Sequence, residues 1–311
     1  MSQPAKKSQI FTEYARLLLD SKTFPSMINQ LPCRELQIIE LGDVFHSWIN
    51  NNRQSQTVLY GSPGTGIKSV IQYWLRQCLL NNSFAKSFFF AIIDCNIEKS
   101  FTKIMYRLIE DSFPNELKLL IAKYFDLTFP FPKCMTGSDY FQIFETCQIY
   151  FPRSALLVFD NFDNLSKTDA SDLLYNLYES QVELHREHKF KHYTHVIVIV
   201  QNLPRFWDLL DSSTKSRFFP KRVVFPKYRK EELEAILNAR TSAFYPTVLA
   251  PEVIPSIAEF VADNFGSARI AIDLLKSAAI LAEKNQSKTI NPNHSINVIE
   301  LFQSNSTKTR S

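Results

Sequence analysis

Apolar positions along the chain repeat with two different periods. Short runs rich in β-branched and aromatic residues recur at 57–60 (TVLY), 88–93 (FFFAII), 155–159 (ALLVF), 196–200 (VIVIV) and 222–225 (RVVF). Such runs, bounded by polar or turn-forming residues, predict strands, and the unbroken fourth run predicts a buried central one. Between them the apolar residues fall on helical spacing: Leu41, Phe45, Trp48 and Ile49, then Val70, Ile71, Trp74, Leu75, Cys78 and Leu79. Further helical patterns cover 101–109, 115–125, 139–149 and 169–185. Strands alternating with helices predict an α/β fold, a three-layer parallel sheet whose chemistry lies at its carboxyl edge. Beyond Pro226 the strand signal stops, and 231–239, 251–264 and 267–284 read as a small all-helical domain. The expected organisation is a helical N-terminal extension (1–30, on Phe11, Tyr14, Ala15, Leu18 and Leu19), an α/β domain (31–226), a helical domain (227–285) and a tail (286–311). Rich in Asn, Ser, Thr and Lys, the tail reads as largely disordered, with one weak helical patch at 296–302.

The glycines change this picture most. The chain has six, and Gly61, Gly64 and Gly66 fall within LYGSPGTGIKSV, between the first strand and the helix after it. Strand, glycine loop and helix form a phosphate cradle: the backbone can approach an anion closely, and the helix N-terminus adds partial positive charge. Gly61 and Gly66 have the spacing of G-x-x-x-x-G-K-[ST], but Ile67 follows, with Lys68 and Ser69 each one place late. One residue turns a helix position by about 100°. Either the loop bulges to bring both residues back, or the site binds nucleotide weakly or not at all.

Strand 155–159 ends in Asp160, where nucleotidases place a carboxylate for Mg²⁺. Asn161 follows it and cannot act as a base, while Asp163 is a candidate to position the metal or cap the next helix. The 196–200 strand ends at Gln201-Asn202, where a polar tip could sense a γ-phosphate.

Composition adds little. A hydrophobic content of 45% supplies a sizeable core, and a net charge of +4 is too small to argue for nucleic acid. No apolar run approaches the roughly 18 residues of a membrane span, and the N-terminus lacks a signal-peptide core. Five cysteines without C-x-x-C spacing read as reduced core residues, and His185, His188, His192 and His195 as a solvated loop rather than a metal site. Seven cations between Lys215 and Lys230 read as solvated surface, with a phosphate- or subunit-contacting face as the alternative.

The order of glycine loop, aspartate strand, strand-tip asparagine, Ser216-Arg217 before the last strand and a three-helix domain carrying Arg269 resembles the AAA+ ATPases. More narrowly, it resembles the AAA+ subunits of the eukaryotic origin recognition complex and their co-loader. Leu31-Pro32-Cys33-Arg34-Glu35 is similar to that family's LPxRE segment, and Tyr60 to Gly66 to its loop. Lys215-Ser216-Arg217-Phe218 resembles the segment that carries an intersubunit arginine in subunit four. Phe225-Pro226-Lys227-Tyr228 with Glu232 and Leu233 resembles FPxYxxxEL in subunit five, and Gly266-Ser267-Ala268-Arg269 the GDxR sensor of the lid. Subunit five is nearest, with features of four and one.

The resemblance implies an AAA+ P-loop domain followed by a helical lid. It further implies ATP and Mg held between neighbouring AAA+ subunits of a hetero-oligomeric ring that encircles DNA in replication initiation, in the nucleus. Residue by residue, it implies that Gly61, Ser62, Pro63, Gly64, Thr65, Gly66, Lys68 and Ser69 line the nucleotide, with Ser69 and Asp160 on magnesium. Asn202 would be sensor 1, Arg269 sensor 2, and Arg217 would reach into a neighbour's site. Three departures are Ile67, Asn161, and the 26 residues after the lid, where the family carries a winged-helix domain. The reading they favour is a divergent subunit that binds ATP weakly or structurally, with little or no hydrolysis. An active remodeller or clamp-loader ATPase and a nucleotide-free scaffold are the alternatives.

Overall fold

Each of the five apolar runs is a strand in the computed structural model, which describes residues 8, 10–13, 15–20, 31–51, 54–81, 86–151, 153–187 and 192–308. They are β1 (Gln56–Tyr60), β2 (Phe88–Asp94), β3 (Ser154–Asp160), β4 (Thr194–Val200) and β5 (Lys221–Val224). All pair in parallel, in the order β2-β3-β4-β1-β5. Position in the sheet explains the patterning. The central β4 is buried at every residue, whereas edge strand β2 alternates, with Phe90 and Ile92 exposed. Residues Asp94 and Asp160 are register partners, as are Tyr60 and Val200, so these strand ends share the sheet's carboxyl edge.

The chain divides into two compact units: Gln37–Gly61 with Trp74–Val224, and Met1–Leu36 with Ser62–Tyr73 and Phe225–Ser311. A large hydrophobic core of the sheet unit is built on Leu157, Phe159, Val198, Ile104, Leu108, Phe144 and Leu173. Its helices include Phe101–Ser112, Asn115–Tyr124, Gly137–Tyr150 and Lys167–Glu187, and two short ones that periodicity did not mark, Leu203–Leu209 and Ser212–Lys215.

The second unit is built on the helices Lys230–Asn238, Val253–Asn264, Ala268–Lys284 and Pro292–Lys308. Small residues Ala271, Ala278, Ala279 and Ala282 line the inner face of the third helix, where helices can approach closely. The last helix corrects the reading of 286–311 as largely disordered, because its apolar side is packed. Val298 is buried, Ile290 before it is fully buried, and the Phe302 ring meets Phe265 at 5.6 Å. The N-terminal segment adds Ile10, Ala15 and Leu19 to the same core. Phe11 forms an antiparallel bridge with Phe244 rather than opening a helix, and the helix here is only Ala15–Leu18.

Other expectations change on burial. Cys78, Cys95 and Cys147 are core residues, but Cys134 is exposed. His195 is not in a solvated loop: it lies on β4, 1% exposed. Tyr14 and His188 lie outside the described residues. Among the described residues no helix is long and apolar enough to cross a membrane.

Candidate functional site

The glycine loop is shaped by its glycines. Gly64 and Gly66 have φ of 84° and 91°, a region where side chains are strained. Thr65 N–H and Oγ1 both donate to Ser62 O (3.3 and 2.7 Å), closing a tight turn. The helix Ile67–Leu80 then starts in regular fashion, with Val70 N–H donating to Gly66 O at 3.0 Å, so no bulge resets its register. Ile67 occupies the first helical position with its side chain buried, and Lys68 is exposed one place on. The loop therefore has the backbone for a phosphate but not a lysine at the standard position.

The same unit brings the start of the last predicted lid helix to the loop. A Cβ placed on Gly64 would lie 2.0 Å from Ser267 Oγ and 3.3 Å from Arg269 Cβ. Ala268 N–H donates to Gly64 O at 3.1 Å, and Ser267 caps Ala268–Lys284. Arg269, the sensor 2 candidate, is exposed in the first turn. Next to the loop lies a residue whose role the sequence did not disclose. Arg34 is 1% exposed and donates to Thr65 O (2.8 Å), Cys33 O (2.9 Å) and Pro226 O (2.7 Å). Its guanidinium stacks 3.6 Å from the centroid of the Tyr228 ring. Burial holds the Arg34 pKa below its ordinary value and pushes the Tyr228 phenol up to about 12.

In the sheet unit, a second polar group lines the carboxyl edge. Gly61 N–H donates to Val200 O at 3.3 Å, fixing the start of the loop beside the tip of β4. Asp160 ends β3 and is buried. Asn161, at φ 54°, turns its amide to donate to both Asp160 Oδ2 and Asp94 Oδ1, each at 3.0 Å. Its carbonyl accepts from Gln201 Nε2 at 3.3 Å. Asp163 does not cap the following helix. Its Oδ2 accepts from the backbone N–H groups of Gln201 and Asn202 (3.1 and 3.2 Å), and its buried Oδ1 has no hydrogen-bond partner. Asn202, the sensor 1 candidate, caps Leu203–Leu209 by accepting from Arg205 N–H at 3.0 Å. The carboxylates of Asp160 and Asp163 have the chemistry to hold a divalent cation. Among the described residues no group of three or more His, Cys, Asp or Glu is arranged for a metal.

Arg217 stands apart from these residues. It pairs with Glu179, stacks on the Tyr175 ring at 5.0 Å and donates to Ser213 O at 3.3 Å. Others in the basic run are also engaged by their own chain. Lys221 donates to Glu40 O, Arg222 lies over Trp207, and Lys230 pairs with Glu259.

Comparison with known proteins finds relatives in DNA replication. The Cdc6 AAA+ ATPase-type lid domain matches residues 234–298. The ORC1-type DNA replication protein 1 of Sulfurisphaera tokodaii is 29% identical over 289 residues, covering 93% of this chain and 66% of that protein. Over most of its length the chain is similar to Cdc6/ORC1-type AAA+ DNA replication proteins. It spans about two-thirds of the Sulfurisphaera relative's length. The fold of the chain is similar to that of Aeropyrum pernix Orc1 in complex with DNA (TM-score 0.74, 24% identity, 96% of this chain and 71% of that one). A Drosophila ORC structure bound to DNA is similar as well (TM-score 0.66, 19% identity, 96% and 68%).

Sequence reasoning missed the partners of the named residues: Arg34, Tyr228 and Ser267 around the loop, and Asp94 beside Asn161. Arg34, Tyr228 and Ser267 had a signal only as letters within the LPxRE, FPxYxxxEL and GDxR likenesses.

Proposed function

We propose that this chain is a divergent AAA+ subunit of an origin-recognition-like assembly that binds ATP weakly or structurally and hydrolyses little or none. The observation that carries the reading is Ile67, buried at the first position of a regular helix where the motif has its lysine. Without a cation at that position the β and γ phosphates rest mainly on backbone N–H groups and the helix terminus. Asn161 supports the same reading, since it already donates to the carboxylates on either side and has no base to offer water. In this proposal the loop residues Gly61 to Gly66, with Lys68 and Ser69, take the phosphates, Asp160 takes Mg²⁺, and Arg269 and Asn202 serve as sensors. Its partners are other AAA+ subunits, as the likeness of 225–233 to subunit five supports, and DNA, since related proteins have been solved on DNA. In a eukaryotic cell that places it in the nucleus.

Restoring the motif without rotating the helix tests this reading. Ile67→Lys combined with Lys68→Thr gives GKT at the standard spacing and keeps Val70, Ile71 and Leu75 on their buried face. A ligand at 100 times its Kd stabilises the native state by about 2.7 kcal/mol. With Mg·ATP, the double variant is expected to melt several degrees higher and the wild type to move much less. Equal shifts in both proteins would refute weak binding, and turnover abolished by Asp160→Ala would establish the active ATPase instead.

A further inference from the structure

A buried arginine usually answers a carboxylate, yet among the described residues Arg34 has no ion-pair partner. Its acceptors are three backbone carbonyls from separate stretches of chain: its own neighbour Cys33, the glycine loop at Thr65, and the lead into the lid at Pro226. The planar guanidinium can serve all three while presenting its face to Tyr228, a geometry that a lysine's point charge cannot reproduce. The connection then continues around a circuit. Tyr228 N–H donates to Gly266 O (3.0 Å), and two residues on, Ala268 N–H returns to the loop at Gly64 O (3.1 Å). Gly66 is pressed from the same side, since a Cβ there would lie 2.7 Å from Tyr228 Oη.

We infer that Arg34 is a positioning residue that, with Tyr228, clasps the glycine loop to the lid through protein groups alone, so that the chain itself sets the register of loop against lid. The clasp holds whether or not the proposed ATP binding does, because no nucleotide atom takes part in it. The turn Leu31-Pro32-Cys33-Arg34, with Cys33 at φ 65°, thereby delivers the guanidinium between loop and lid.

Hydrogen exchange of the full chain, without nucleotide, tests the clasp at residues 62–70 and 225–233. Arg34→Lys and Tyr228→Leu are each expected to speed exchange in both stretches together by about tenfold, the factor that corresponds to about 1.4 kcal/mol. Tyr228→Phe keeps the ring and should retain wild-type protection. Helix Phe101–Ser112, in the sheet unit, should be unaffected in all three. If Arg34→Lys fails to fold, the Leu and Phe variants at 228 still decide the matter. The inference is overturned if both stretches stay protected in Tyr228→Leu, if only one of them loosens, or if Tyr228→Phe behaves as Tyr228→Leu. Repeating the exchange with Mg·ATP reads the nucleotide proposal separately, since weak ATP binding leaves the difference between the Phe and Leu variants in place.

Discussion

His195 shows what a single residue's setting does to its chemistry. The ring lies on the most buried strand, stacked on Trp48 at 4.8 Å with Phe88 at 5.7 Å, and Ser55 Oγ is 3.2 Å from Nδ1. Nε2 is buried without a partner, and desolvation lowers the pKa to about 3. An unfolded chain takes up this proton near pH 6.5, the folded one only near 3, so between those values the unfolded state binds more protons. Stability is therefore complete above about pH 6.5 and falls as pH drops toward 3, by up to roughly 1.4 kcal/mol per pH unit. Denaturant midpoints at pH 7.5 and 5 measure this in the wild type and in His195→Phe, which keeps an aromatic stack. The wild type should lose more stability on acidification than the variant. Parallel losses would mean that the carboxylates, not His195, govern the acid limb.

At the scale of elements, the strands were legible because a parallel sheet buried on both faces demands continuous β-branched runs, as in VIVIV. The positions of the glycine loop after β1 and of Asp160 at the end of β3 were legible because apolar runs stop there. The register of Lys68 was legible only as two alternatives, and the first turn of Ile67–Leu80 has no bulge. The contacts of Arg34 were silent because its acceptors are main-chain carbonyls, which leave no trace in residue type. The helix Pro292–Lys308 was missed because its composition is that of a disordered tail, and its apolar stripe is thin. Asn291 and His294 cap it reciprocally, with Asn291 Oδ1 accepting from His294 N–H (3.3 Å) and His294 Nδ1 from Asn291 N–H (3.1 Å). If tertiary packing rather than propensity holds it, the two sides of the helix must differ. Val298→Asp, which buries a carboxylate, should cost about 3 kcal/mol or more, and Leu301→Asp, at a 59% exposed position, within about 0.5 kcal/mol. Chemical denaturation distinguishes the two, and equal effects would mean that the helix is not docked.

For the whole molecule, the decisive fact is that the core around Leu157 in the sheet unit and the core around Leu275 in the helical unit share no residue. Each unit buries its own apolar surface, and that burial is the main term favouring the folded state of each. A chain of two compact units is the kind that departs from all-or-none unfolding. Calorimetry should accordingly give an unfolding enthalpy larger than the van't Hoff value from the same trace. Two substitutions assign the transitions. Leu157→Ala removes a fully buried side chain from the sheet core, and Leu275→Ala does so in the helical one. Each should cost about 2–5 kcal/mol. The expected result is that each variant lowers a different component of the melting curve and leaves the other in place. The second unit closes only when Ile10, Arg34, the glycine loop and residues beyond Phe225 come together from distant parts of the chain. Its core therefore carries the larger chain-closure entropy, and its component should be the one that melts first. A single transition with equal enthalpies, lowered alike by both substitutions, would show instead that the phosphate-loop helix Ile67–Leu80, which contributes residues to both units, couples them into one cooperative structure.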